Sequence, residues 1–363
     1  MSLDPRRPVS ELPIAQRQLV AICRAIGSDA RLIIMDEPTA SLTKVEVAAL
    51  LGLARQLSQK EITILFVSHK LNEVLDVAER VTILRDGRKI GVFEAREMTD
   101  RRLATLITGK EFDYSAQSLA PANAPPVLSV RGLTRRSEFT DVSLDVHVGE
   151  IVGLTGLLGA GRTELALALF GLSRAESGEV LVEGVPLPAG RNSAAIARGV
   201  AYIPEDRIQF GLVMEQPTAT NLVLTILDKL IGRFGILARQ KLRDAAARSI
   251  GELDIKVGDP ERPVKTLSGG NQQRVVLAKW LATAPRVLIL DNPTVGVDVR
   301  AKDGISAIIR QMAASGKAII FISDEILEVL NHAHRILIMR EGRITASLLP
   351  AETTESDFVP WRI

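Results

Sequence analysis

Three apolar runs organise the chain. VLILD (287–291) carries four aliphatic residues into Asp291, LIIMD (32–36) carries four apolar residues into Asp36, and EIVGLTG (150–156) ends in glycine. Short apolar runs bounded by turn residues predict strands buried on both faces of a parallel sheet. Helical periodicity follows in GLLGAGRTELALALFG (156–171), QQRVVLAKWLA (272–282) and GRFGILARQKLRDAAARSIGEL (232–253). Strand and helix therefore alternate, which predicts an α/β fold. QLVAICRAI (18–26) is a further apolar helical stretch, and Cys23 within it is expected in the core. Phe139, in the strand-like EFTDVSLDV, is also expected to be core.

The pattern repeats. RLIIMDEPTASL (31–42) matches RVLILDNPTVGV (286–297). ITILFVSHKLNEVL (62–75) matches KAIIFISDEILEVL (317–330), and RVTILRDGRKI (80–90) matches RILIMREGRIT (335–345). All three pairs share one offset of 255 residues without a gap, so the chain holds two related units. Residues 1–110 read as the later half of a first unit and 111–126, ending in SAQSLAPANAPP, as a linker. Residues 127–349 form a longer second unit, with a helical subdomain at about 207–267, and 350–363 a tail without an assignable pattern. Residues 127–255 have no upstream counterpart, so the reading frame is expected to be truncated: half a parallel sheet would expose core strands and edges.

Composition narrows the function classes. The net charge is +2, from 45 basic and 43 acidic residues, which argues against a broad nucleic-acid surface. Cys23 is the only cysteine, which excludes an intrachain disulfide. No apolar run approaches the about 18–20 residues that span a bilayer, and MSLDPRRPVSELP lacks the apolar core of a signal peptide. His147, His332 and His334 have no metal-ligand spacing and read as packing or surface residues. The basic run 131–136 reads as a solvated edge.

Chemistry concentrates at three places in the second unit. Gly156, Leu157, Leu158, Gly159, Ala160, Gly161, Arg162 and Thr163 match the phosphate-loop pattern G-x-x-x-x-G-K-[ST], with Arg in place of Lys. Glycines let backbone N–H groups curl around phosphate oxygens, and the following helix turns its positive end to the same anion. The Thr163 hydroxyl can ligate Mg²⁺. Arg162 keeps the charge but is a wide planar fork where Lys is a slim point charge. The turn Leu267, Ser268, Gly269, Gly270, Asn271 opens a helix, a second anion-binding end. Asp291 offers a metal carboxylate, and Asn292 stands where a hydrolase places the carboxylate that activates water.

In this order the motifs resemble the ATP-binding cassette (ABC) family: a Walker A-like loop, an LSGGN signature and a Walker B strand. More closely, GAGRT and YIPEDR (202–207) look like the second cassettes of tandem ATPase subunits in bacterial sugar importers. The resemblance implies a P-loop cassette with a mixed sheet, flanking helices and a helical subdomain, here as one partial and one complete cassette. It implies ATP and Mg²⁺ as cofactors. Glu205 falls at the Q-loop position that would reach Mg²⁺.

The family pairs cassettes head to tail, so each ATP meets one Walker A and the other cassette's signature. One composite site would then use 156–163, Glu205, Asp291, Asn292 and Asp324, opposite Leu12, Pro13, Ile14, Ala15 and Gln16, which have lost the signature. Asp324 replaces the switch histidine, and an aspartate there would repel a γ-phosphate. This site is expected to hold nucleotide and turn it over slowly, if at all. The other site would pair 267–271 with Asp36 for Mg²⁺, Glu37 as base and His69 as switch, and its Walker A would lie upstream of residue 1.

The implied activity is ATP hydrolysis coupled to import of sugars or related solutes. The implied partners are integral membrane permease subunits, a periplasmic solute-binding protein indirectly, and, as a further candidate, a second ABC chain, without nucleic acid. The implied location is cytoplasmic, peripheral on the inner face of the membrane. Two other readings stand at this point: a soluble tandem ABC protein acting on ribosomes or nucleic acid, and a non-catalytic regulatory fragment. The first of these favours a long charged linker, and 111–126 is short and Pro/Ala-rich.

Overall fold

Burial separates the two matching strands at once. The strand Val287–Asp291 is buried at every position, whereas Leu32–Asp36 alternates exposed and buried. The computed structural model describes all residues except 1–5, 10–11, 13, 28–29, 40–41, 43, 69, 86, 110–124, 158, 233–234, 354–356 and 359–363. The chain divides into two units, Met1–Asp113 and Tyr114–Ile363.

The first unit runs α1 (Ile14–Ile26), β1 (Leu32–Asp36), α2 (Lys44–Gln59), β2 (Thr63–Val67), α3 (Leu71–Val77), β3 (Arg80–Arg85), β4 (Arg88–Glu94) and α4 (Asp100–Thr108). Among the described residues, β1 and β2 form a parallel pair, and β3 and β4 a separate antiparallel hairpin. Cys23 is exposed, contrary to the expectation. On α1 the inward face is Ile22, Ala25 and Ile26, at i, i+3 and i+4, and Cys23 lies one step off that stripe.

The second unit opens with β5 (Pro126–Arg135), β6 (Phe139–His147) and β7 (Ile151–Gly156). It continues with α5 (Arg162–Leu169), β8 (Ser177–Val182), β9 (Val185–Pro186), α6 (Asn192–Ala197) and β10 (Val200–Ile203). A helical stretch follows: a π-helical turn Arg207–Gly211, α7 (Thr218–Val223), a 3₁₀ turn Leu224–Leu230, and α8 (Arg239–Glu252). Then come α9 (Gly269–Leu281), β11 (Val287–Asp291), α10 (Val299–Ala314), β12 (Ala318–Ile322), α11 (Ile326–His332), β13 (Arg335–Arg340) and β14 (Arg343–Leu348). A six-stranded sheet has the order β10-β11-β12-β7-β13-β14, and a four-stranded sheet the order β6-β5-β8-β9. Only β13–β14 is antiparallel in the larger sheet, which is therefore mixed.

One core lies between the two sheets and packs Leu128, Val142 and Phe139 against Val152, Leu165 and Ile320. The other lies between the larger sheet and the helical layer, with Leu222, Val276, Leu288 and Phe321. Phe139 is core, as expected. Phe358 joins the second core, so part of the 350–363 tail is packed. The run 131–136 is no sheet edge: β5 lies between β6 and β8, and Arg131 pairs with Asp145 across the strands at 2.7 Å. The histidines pack, with His332 against the Ser306 hydroxyl at 2.9 Å and His334 accepting from the Ile151 N–H at 2.9 Å.

The repeat holds in three dimensions. Leu32 pairs with Thr63 as Val287 pairs with Ala318, at the 255-residue offset. Both hairpins slip register at one equivalent point, between Ile83 and Leu84 and between Ile338 and Met339. The Thr39 hydroxyl binds Glu73, and the equivalent Thr294 hydroxyl binds Glu328. The difference is cover. In the second unit β7 stands between β12 and β13, and α5 packs on Ile289, Ile320 and Ile322. The equivalent Ile34, Leu65 and Val67 are 64%, 52% and 44% exposed.

Candidate functional site

The second unit builds its site where β7, β11 and β12 end side by side. The chain leaves β7 at Gly156 and enters α5 at Arg162. Gly161 caps that helix with φ +95°, and a Cβ there would collide with the Glu138 carbonyl, so the turn requires glycine. The α5 N–H groups and the positive helix end face the loop, an arrangement suited to an anion.

Arg162 is buried, and its guanidinium is engaged. It donates to the Asp324 carboxylate at 2.5 Å and to the Ser323 carbonyl at 3.3 Å. Arg162 and Asp324 thus form one pair, 162 residues apart in sequence, rather than two independent departures. Asn292 is buried beside them, and its Oδ1 accepts the Asp324 backbone N–H at 3.0 Å. Its side chain anchors the end of β12, a role the sequence reading did not give it. The segment is held further by the Ser323 hydroxyl, which donates to Glu328 at 2.8 Å and accepts the Glu325 N–H at 3.1 Å.

Asp291 ends β11 fully buried. Burial pushes its carboxyl up to about 6; the Thr163 and Tyr202 hydroxyls and Arg162 oppose that shift, and Glu205 adds to it. The Tyr202 hydroxyl donates to Oδ2 at 3.1 Å, while Oδ1 has no hydrogen-bond partner among the described residues. A buried, unpartnered carboxylate oxygen beside a threonine hydroxyl is a hard oxygen-donor set that fits Mg²⁺. Nothing in the sequence indicates the bond of Tyr202 to Asp291, whose positions lie 89 residues apart.

The remaining candidates divide. Glu205 is exposed at the end of β10, close enough to Asp291 to raise its pKa. Arg207 bridges three elements: it donates to the Val295 and Gly296 carbonyls at 2.9 and 3.1 Å and to Gln272 at 3.4 Å. Sequence reasoning assigned it nothing. Gly156, Leu157, Gly159 and Ala160 complete the loop, and Leu158 lies outside the described residues. Leu267 and Ser268 lead into Gly269 and Gly270, the first residues of α9. Asn271 donates to the Ser268 hydroxyl and accepts the Lys256 N–H, both at 2.9 Å, so the turn is stiffened by its own side chains.

In the first unit Asp36 ends β1 and is exposed, and Glu37 follows in the left-handed region at φ +46°. Asn292, its equivalent, has φ +44°. Asn tolerates that conformation better than Glu. Both N–H groups are held by the neighbouring strand, Glu37 by Val67 and Asn292 by Ile322. His69 lies outside the described residues.

Known proteins place this geometry. Residues 139–295 match the family described as ABC transporter. A ribose import ATP-binding protein of Streptomyces avermitilis is 46% identical over 98% of this chain, which spans 70% of that protein's length. A putative ribose/galactose/methyl galactoside import ATP-binding protein of Agrobacterium fabrum is 41% identical over 98% of this chain and 71% of its own. Among solved structures, a dimeric ATP-binding cassette in a post-hydrolysis state with ADP and Pi shares the fold, with TM-score 0.53 and 20% identity over 61% of this chain and 98% of that one. A nucleotide-free cassette gives TM-score 0.52 over 62% of this chain and 92% of its own. The P-loop cassette fold, the order of the motifs and these relatives agree: the chain belongs to the ABC ATPase family.

Proposed function

We propose that the chain is an energy-coupling, ATP-binding subunit of an ABC importer for ribose-type sugars or related small solutes. The observation that carries this reading is 46% identity to a ribose import ATP-binding protein across 98% of the chain. On this reading residues 1–110 correspond to the later part of one cassette and 127–349 to a second. The chain works at the cytoplasmic face of the membrane against permease subunits, which receive solute from a periplasmic binding protein. No described helix is long and apolar enough to cross a membrane, so coupling passes through partner subunits.

The second unit binds nucleotide. Loop 156–163 and the α5 N-terminus hold the phosphates, and Thr163, Asp291 and Glu205 hold Mg²⁺, which would supply charge neutralisation at the phosphate oxygens. Hydrolytic competence is weak there: Asn292 cannot take a proton from water and is engaged with Asp324. A missing general base costs about 10²–10⁴ in rate. In the first unit, Asp36 and Glu37 carry the metal-binding and water-activating roles, and His69 the sensing role. Signature residues Leu267 to Asn271 serve the nucleotide of a partner cassette.

The test is transport. A strain lacking the cognate ATPase subunit, supplied with the gene, is assayed for uptake of labelled ribose. Uptake that depends on Glu37 and Thr163 supports the reading; expression without uptake of ribose or any related sugar counts against it.

A further inference from the structure

The Arg162–Asp324 pair bears on which nucleotide the second-unit pocket prefers. Arg162 occupies the phosphate-loop position whose side chain meets the outer phosphates. Here that cation is already neutralised, and both of its acceptors, Asp324 and the Ser323 carbonyl, are on the same segment at the end of β12. That segment cannot easily withdraw. Asn292 holds the Asp324 N–H, and Ser323 is tied to Glu328. Arg162 is itself only 6% exposed, so releasing it would strand a buried cation.

From these observations we infer that the second-unit pocket is a nucleoside diphosphate site that discriminates against the triphosphate. This rests on the reading that the pocket binds nucleotide. A diphosphate uses the loop N–H groups and the α5 helix end, which the pair leaves available. A third phosphate adds negative charge on the side of the loop where Asp324 stands. It meets a carboxylate whose partner cation is shared, and Asn292 offers no compensating charge. Asp324 is 43% exposed, so water screens part of the repulsion and the discrimination is moderate, about tenfold.

The experiment is calorimetric titration of the full chain with ADP and with ATP, both in Mg²⁺. It compares the wild type, Asp324→Asn, Asp324→Ala and Thr163→Ala, with thermal unfolding to show that each variant is folded. The wild type should bind ADP about tenfold more tightly than ATP. Both Asp324 variants should bring the ratio within about twofold, chiefly by gaining ATP affinity. Thr163→Ala should weaken both nucleotides, assigning the binding to this pocket. Equal wild-type affinities, or a preference for ADP that survives both Asp324 variants, would overturn the inference while leaving nucleotide binding intact. If neither nucleotide binds, the binding reading fails and the inference with it.

Discussion

Asn292 holds Asp324: its side-chain oxygen accepts the Asp324 N–H at 3.0 Å. In a competent cassette this position needs a carboxylate free to take a proton from water. Here it is a buried anchor for the segment that engages Arg162. Exchange for glutamate therefore removes an anchor and does not install a base in a ready site. Asn292→Glu should leave phosphate release near the wild-type rate and lower stability by about 1–2 kcal/mol, from the lost bond and the buried charge. Steady-state phosphate release and chemical denaturation check this; a large gain in turnover would refute it.

Burial works against the charged form of Asp291. Its folded pKa is raised to about 6 from 3.8, so the folded state binds the proton more tightly than the unfolded state. Its contribution is most favourable below pH 4 and is lost as pH rises through about 6. Asp291→Asn should therefore stabilise the nucleotide-free protein at pH 7.5, by about 1–3 kcal/mol, while weakening Mg²⁺-dependent nucleotide binding. Denaturation with and without Mg-nucleotide at pH 7.5 separates the two effects.

His332 acts in the opposite direction. Burial lowers its pKa from 6.5 to about 4, so the folded state holds it neutral. Its contribution is fully present above pH 6.5 and is lost as pH falls towards 4, up to about 3 kcal/mol. This window overlaps that of Asp291, so the net slope of the wild type is shallower than either alone. His332→Gln should flatten the His332 component, measured as denaturation midpoints between pH 4 and pH 7.5.

Arg207 ties the turn after β10 to the loop after β11 and to α9. Arg207→Ala leaves two carbonyls without this donor and should cost about 1–3 kcal/mol of stability. Arg207→Lys should recover only part of it, because an ammonium cannot reproduce the planar fork. Thermal unfolding of the two variants checks the order.

What the sequence made legible was local or repeated. Aliphatic runs into Asp36 and Asp291 marked the strand ends, and the 255-residue offset located equivalent positions that the strand registers reproduce. The phosphate loop was legible because its glycines are required by backbone geometry at Gly161. The Arg162–Asp324 pair was not, since its partners meet only when β7 and β12 lie side by side. Tyr202 on Asp291 was hidden for the same reason. Cys23 was misplaced because apolar neighbours do not say which way a helix faces when its stripe is wide.

On the proposed reading, the second-unit pocket grips nucleotide without the groups that split it. Steady-state ATP hydrolysis by the purified chain, alongside equilibrium binding, tests it most directly. The expected result is Mg²⁺-dependent binding that Thr163→Ala weakens about tenfold or more, with phosphate release near background. Brisk hydrolysis that stops when Thr163 or Arg162 is altered would contradict it.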